Sequence, residues 1–387
     1  MKRSPFLLPL LVALILPTLA CGLIGGAEPR ATAFPTDSPA TATEPPPTAI
    51  PATPTTPPNP TATATPQPAA EATETRSAPA ASPTSAPIEL AATRYTHPNN
   101  IFSLQPPAGW TVTEDEGSAS FTSPDETGYL HVEVTNTGYE LGPEAFTNFV
   151  ENRDVNFFGV FEDYAPIEQE IDAEQGIASV TKNFAFNRVP QTAVSVYLQD
   201  GPAIYVVDTW ADQEYMALYS DLYPRVVGTL ETDREAAAEQ LVYNWIYTFE
   251  GPDSLFTIDV PTPWEYERTD SDTVIVDTFY APDGHAVIQN IAYDDGQEIS
   301  RSEAGAFALE LLRSSYAEDI RIVDDQVQPD GSERLIWTSS GGGYSGTSFL
   351  ETRGTTFLLF TIMHDDAYED VYLDTLNYTV ETYAVPE

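Results

Sequence analysis

Two stretches of this chain repeat one another 154 residues apart. Phe102-Ser-Leu-Gln-Pro-Pro-Ala-Gly-Trp110 lines up with Phe256-Thr-Ile-Asp-Val-Pro-Thr-Pro-Trp264. Further on, Phe121-Thr-Ser-Pro-Asp125 matches Phe279-Tyr-Ala-Pro-Asp283, and Tyr215, Tyr219, Asp221 and Val227 match Tyr368, Tyr372, Asp374 and Val380 at an offset of 153. Collinear matches at nearly constant spacing are the mark of an internal duplication. Any fold for this chain must therefore be one domain built twice, expected over residues 94–232 and 243–387.

Each repeat reads in the same order. An opening strand (Ile101 to Leu104; Leu255 to Val260) runs into a proline-containing corner and the tryptophan, and a second strand leads to a turn at Pro124-Asp125 or Pro282-Asp283-Gly284. Alternating residues in Tyr129 to Val134 and Ala286 to Ile291 predict a third strand. Helices are expected over Pro143 to Phe158, with Phe146, Phe149, Val150 and Phe157 inward, and over Ser302 to Ala317, with Phe307, Leu311 and Leu312 inward. Three more strands follow, ending in the apolar runs Ala203 to Trp210 and Thr356 to Met363. A last helix starts near Asp212 or Asp365, each read as its N-cap. Strands joined by short turns and covered by helices predict an α+β, α/β/α layered domain with a mainly antiparallel sheet. Between the repeats, Asp233 to Gln240 is an Ala/Glu-rich segment expected to be helical.

The pattern, and the opening Phe-x-x-x-x-Pro-x-x-Trp in particular, resembles the PsbP-like fold, a family that includes bacterial lipoproteins. The resemblance covers both repeats and implies an accessory or binding role without catalysis.

The N-terminal 93 residues are different. Lys2 and Arg3 precede an apolar run from Pro5 to Ala20, too short to span a bilayer, so residues 1–20 read as a signal peptide. The run ends Thr18-Leu-Ala-Cys-Gly22, which resembles the bacterial lipobox, whose cysteine is acylated and becomes the mature N-terminus. Cys21 is the only cysteine, which excludes an internal disulfide and a thiolate metal site. Thr18 departs from the usual aliphatic residue, and Thr18 with Ala20 also fits ordinary secretory cleavage; Cys21 is then a free thiol on a released protein. The lipid-anchored form is the preferred reading, and it places the protein on the outer face of the cell membrane. Residues 21–93 hold much of the chain's 34 prolines with Thr, Ala and Ser, a composition that cannot bury a core and reads as a disordered, extended stalk.

With 59 acidic against 16 basic residues the net charge is −43. A surface of that sign repels phosphate backbones, so nucleic acid is excluded as a partner, and it favours a soluble monomer. Anionic lipid is repelled too, so membrane attachment requires the anchor at Cys21.

Candidate ligand-contacting residues are few. Trp110 and Trp264 hold equivalent positions and read first as core aromatics closing the corner, second as a stacking platform. His131 and His285 are expected near equivalent strand positions. None of the four histidines is spaced from another as metal ligands are. Gly341-Gly-Gly-Tyr-Ser-Gly346 is followed by Thr347 where a nucleophile elbow needs glycine, so it reads as a hairpin turn. Asp294-Asp-Gly296 reads as a solvated acidic turn. No metal, cofactor or catalytic residue is assigned. The chain is expected to be a non-catalytic accessory protein that recognises another protein or an envelope component. The alternative is an envelope hydrolase using carboxylates in one diverged repeat, which predicts a polar cluster in one domain that the other lacks.

Overall fold

The computed structural model describes residues 88–385, apart from Asp330 and the side chain of Asp253. Cys21, the signal peptide and most of the stalk lie outside the described residues. The fold class is the α+β expected, with two seven-stranded antiparallel sheets.

In repeat one the elements are β1 (Tyr95–Thr96), β2 (Phe102–Leu104), β3 (Thr111–Asp115), β4 (Ser118–Thr122), β5 (Gly128–Asn136), α1 (Pro143–Phe158), β6 (Glu162–Asp172), β7 (Ile177–Phe186), β8 (Val189–Asp200), β9 (Ala203–Asp212), α2 (Met216–Tyr219) and α3 (Leu222–Val227). A connection holds β10 (Glu231–Thr232), α4 (Arg234–Ala237) and β11 (Ile246–Glu250). Repeat two follows with β12 (Thr257–Pro261), β13 (Glu265–Asp270), β14 (Val274–Tyr280), β15 (Ala286–Tyr293), α5 (Arg301–Ser315), β16 (Arg321–Val327), β17 (Glu333–Ser339), β18 (Tyr344–Arg353), β19 (Thr356–Asp365) and α6 (Glu369–Thr382).

The sheets run β3-β4-β5-β9-β8-β7-β6 and β13-β14-β15-β19-β18-β17-β16, the same order twice. Apart from the two-residue β1, each repeat has one strand more on either side of its first helix than the sequence pattern indicates. The additional strands, β3, β6, β13 and β16, are the four sheet edges. They are exposed along nearly all their length, rich in acidic residues, and β6 carries Pro166 and two register shifts. Charge, proline and bulges on an edge block pairing with another chain. The opening strand β2 lies outside the large sheet and pairs with β1 and β10, as β12 pairs with β11.

Helix α1 has Pro143 in its first turn, where a missing N–H costs nothing, and buries Phe146, Phe149 and Val150 at helical spacing. It also buries Arg153 and Asp154, while Phe157 is half-buried. In α5 the buried face is Ala304, Ala308 and Leu312, with Phe307 and Leu311 half-buried. The expected caps differ. Asp212 ends β9 and accepts from Gln191 Nε2, and Asp365 precedes a short 3-10 turn without capping it by its side chain. Asp233 does cap α4, accepting from the N–H of Ala236 at 3.2 Å.

Helix α1 lies on one face of its sheet, and α2 and α3 on the other. In repeat two α5 and α6 do the same. One core cluster crosses between the repeats, joining Phe146, Phe149 and Val206 to Trp264, Phe279 and Tyr372. Asn156 Nδ2 donates to the carbonyls of Thr262 and Trp264 at 2.7 and 2.8 Å, and Asn148 Nδ2 to that of Pro282 at 2.9 Å. The repeats thus pack head to tail, the α1 face of one against the tryptophan corner of the next. No described helix is long and apolar enough to cross a membrane.

Candidate functional site

The two tryptophans sit at matching corners in different surroundings. Trp264 is fully buried against Tyr372 and Tyr243, with centroids 6.1 and 6.0 Å away. Trp110 has the corresponding contact to Tyr219 at 5.9 Å but is half-buried, and no residue of repeat two joins the core it packs against. Both are corner-closing aromatics.

The histidines are not equivalent, contrary to expectation. The pairings Phe121–Leu130 and Phe279–Ile288 fix the match between the sheets, and by them His131 corresponds to Gln289, while His285 lies in the turn before β15. His285 is half-buried, its Nδ1 2.7 Å from Asp365 Oδ2 and its ring stacked on Tyr368 at 3.8 Å. His131 is buried mid-strand, its Nδ1 2.9 Å from the Ser120 hydroxyl, and burial pushes it down to about 4. No contact joins the two histidines or the two tryptophans.

His131 belongs to a cluster that sequence reasoning missed. Between α1 and the sheet, Arg153 donates from Nη1 and Nη2 to both oxygens of Asp208 at 3.1 and 2.6 Å, and from Nη2 to Glu133 at 2.7 Å. Lys182 donates to Asp154 and Ser195, Ser195 donates to Asp208, and Tyr164 donates to Asp154 at 2.7 Å. Lys182 Nζ sits 4.0 Å over the ring of Phe158, and the Arg153 guanidinium 4.1 Å over Phe157. Glu133, Arg153, Lys182, Ser195 and Asp208 have no exposed surface. Burial holds the Glu133 carboxyl above its ordinary range and the Lys182 ammonium below its own. Burial opposes ionisation of Asp208 too, but Arg153, Lys182 and His131 together hold it low.

Repeat two fills the same positions without charge. Strand pairing matches Ser195 with Ser348, Asp208 with Thr361 and Lys182 with Trp337. There Trp337 Nε1–H donates to Ser348 at 2.9 Å, and the Ser348 and Thr361 hydroxyls are 2.9 Å apart. Glu133 becomes Ile291 and Asp154 becomes Leu312. A signal for the cluster did exist. Lys182 stands in phase with buried Ala178, Val180 and Phe184, and Asp208 with Ile204 and Val206.

Open binding space lies elsewhere, away from all four predicted residues. A groove of about 580 Å³ runs between β18–β19 and the end of α6. Its floor is aromatic, with Phe360 between Phe349 (6.1 Å) and Tyr383 (4.2 Å, nearly parallel). Glu351 and Arg353 form an ion pair at 2.8 Å on its rim.

No family model matches the chain, and no curated protein matches it by sequence. Among solved structures it is similar to PsbP (CyanoP) from the cyanobacterium Synechocystis sp. PCC 6803, at 12% identity over 40% of this chain and 98% of that chain, with a TM-score of 0.28. It is similar to a protein of Bacteroides thetaiotaomicron at 13% identity over 68% of this chain and 87% of that one, TM-score 0.27. It is also similar to the immunity protein TplEi of T6SS from Pseudomonas aeruginosa at 12% identity over 72% and 97%, TM-score 0.20. Likenesses of this degree carry no argument about function, which rests on the chain's own residues.

Proposed function

We propose that this chain is an exported, lipid-anchored accessory protein that binds another protein or an envelope component without catalysis, using the groove of repeat two as its recognition site. The groove carries this reading. It combines an aromatic floor, one charged pair and room for several side chains, the make-up of a binding site. The anchor at Cys21 and the stalk supply display, and the acidic surface keeps the protein off anionic lipid except through that anchor.

The hydrolase alternative finds its one-sided polar cluster in repeat one. There each of Glu133 and Asp208 is held by Arg153 with no exposed surface. Carboxylates so placed tie a helix to a sheet and offer no path to a substrate.

The test is a photo-crosslinking residue at position 332, on the groove wall, in the tagged protein in its native cells, with Cys21→Ser alongside. A discrete adduct from the membrane fraction, and release of Cys21→Ser into the medium, are expected. No adduct from the groove position would end the recognition reading, and a Cys21→Ser protein still held at the membrane would end the anchor.

A further inference from the structure

The buried ring of His131 also touches the joint between the repeats. It stacks on Phe157 of α1 with centroids 5.8 Å apart, and the indole of Trp245 meets it at 5.4 Å. Trp245 stands in the connection, one residue before β11, and its carbonyl accepts from the N–H of Thr262 at 2.9 Å. Thr262 belongs to the tryptophan corner, whose carbonyls receive Asn156 of α1. One ring thus contacts both the helix and the connection that meet at the joint.

His131 is half satisfied. Its Nδ1 has the Ser120 hydroxyl at 2.9 Å, but its Nε2 is buried without a hydrogen-bond partner, 3.9 Å from Glu133 Oε2. Among the described residues, the charged groups facing the ring are Glu133 on its own strand, Arg153 on α1 and Asp208 on β9, with Lys182 of β7 beyond Asp208. Strand β4 presents the Ser120 hydroxyl and the connection presents the uncharged indole. All three facing charges are engaged with one another. Repeat two fills the same position with Gln289. Its Nε2 donates at 3.1 Å to Thr278, the counterpart of Ser120, and its Oε1 accepts at 3.1 Å from Tyr316, where α1 has Phe158. A fully bonded amide without charge suits this fold, yet repeat one has a ring that takes up protons and leaves one nitrogen unpartnered.

We propose that His131 and Trp245 form an acid-released latch: protonation of the imidazole lifts the indole off it and frees the connection where repeat two begins. An imidazolium has an N–H on both nitrogens, and at Nε2 it finds no acceptor within hydrogen-bond reach while the ring stays covered. A buried charged donor without a partner is relieved by admitting water. Of the two covering rings, Phe157 is fixed, since it lies on the helix tied to the sheet by Arg153, whose guanidinium sits 4.1 Å over it. Trp245 is half-buried and lies in a connecting stretch, so it is the cover that yields. Burial holds the covered ring down at about 4, and a wetted ring returns to about 6.5. The ratio of open to closed molecules should therefore be about 30-fold higher at pH 5 than at pH 8. The joint is firm at neutral pH and gives way in acid before either sheet unfolds.

The experiment labels the full-length protein with 5-fluorotryptophan and follows its fluorine resonances as pH is lowered from 8 to 4.5. The resonance of Trp245 is assigned by its loss in Trp245→Phe. It is expected to move to a solvent-exposed position, with a midpoint between about 4 and 6.5. Trp110 and Trp337, which report the cores of repeat one and repeat two, should hold their positions over the same range. In His131→Gln, which takes the residue of repeat two, Trp245 should stay at its neutral-pH position throughout. Imidazole nitrogen shifts give a second readout in the wild type, where one histidine should titrate with the midpoint of Trp245. A Trp245 resonance that stays fixed down to pH 4.5 would overturn the inference, as would one that moves only together with Trp110 and Trp337. So would the same movement in His131→Gln, or a wild type in which no imidazole titrates alongside Trp245.

Discussion

Arg153→Leu should be among the most damaging single changes in repeat one, and the reason can be worked from its contacts. The guanidinium makes three hydrogen bonds to Asp208 and Glu133, all with no exposed surface. Removing it leaves two facing carboxyl groups with Lys182 as their remaining cation, and breaking a buried pair this way costs about 3–5 kcal/mol. Repeat two shows how the same space is filled without ions. The matching exchange is His131→Gln, Glu133→Ile, Arg153→Leu, Asp154→Leu, Lys182→Trp and Asp208→Thr. It needs one more change: Gly346 faces Trp337, and a Cβ there would lie 2.4 Å from the indole, so Ala193, its counterpart, must become glycine. Replacing a buried ionic group by well-packed apolar residues is neutral or stabilising by about 1–4 kcal/mol. The sevenfold variant should therefore stand at or above wild type while Arg153→Leu falls several kcal/mol below it. Urea unfolding by circular dichroism measures both. An Arg153→Leu protein within about 1 kcal/mol of wild type, or a sevenfold variant as unstable as the single one, would refute the reasoning.

Trp264→Ala should cost about 3–5 kcal/mol as a fully buried aromatic, and Trp110→Ala roughly half of that, since repeat two does not cover it; equal losses in urea unfolding would place the two corners in equal packing. The pH dependence follows from His131, whose folded value is pushed down to about 4 by burial. The unfolded chain binds a proton there as pH falls below about 6.5 while the folded chain does not. The stability this residue contributes is thus complete above pH 6.5 and lost on the way to about pH 4, by about 3 kcal/mol in total. Glu133, raised by burial, acts in the opposite direction over the acid range, so the comparison to make is wild type against His131→Gln: the wild type should lose ground to the variant between pH 7 and 4, and parallel curves would show that His131 titrates normally.

What could be read in the sequence followed solvent exposure. Runs such as Ala203–Asp212 and Thr356–Asp365 are central strands buried on both faces, and their apolar density announces them. The edges β6, Glu162–Asp172, and β16, Arg321–Val327, are exposed along nearly all their length, so no alternation marks them. The buried ions were hidden by the protein's own composition. Among 59 acidic residues, Asp208 and Glu133 look like surface charge unless the phase of each strand is followed residue by residue. The two histidines show the limit of alignment by spacing. A shift of a few residues between repeats was invisible until strand pairing fixed which residues stand opposite each other, and it separated His131 from His285.

The repeats also show what a duplicated core must keep and what it can exchange. Ser195 and Ser348 each occupy the same buried point between two hydrogen-bond partners: Lys182 and Asp208 in one repeat, the Trp337 indole N–H and the Thr361 hydroxyl in the other. A buried hydroxyl without partners costs about 1–3 kcal/mol, so the thread of hydrogen bonds is constrained while its charge is not. Charge by itself does not stabilise such a site over an apolar filling, which leaves the question of why repeat one has it. Arg153 and Asp154 lie on α1, the helix gripped from both sides. Ion pairs of fixed geometry set its rotation against the sheet, and that rotation aims Asn148 and Asn156 at the carbonyls of Pro282, Thr262 and Trp264. Among the described residues, no further repeat packs against helix α5. Its counterparts to the two asparagines are Ala306 and Ser314, and alanine and leucine suffice to hold it to its sheet. The charged cluster is thus best understood as the device that fixes how one repeat meets the next.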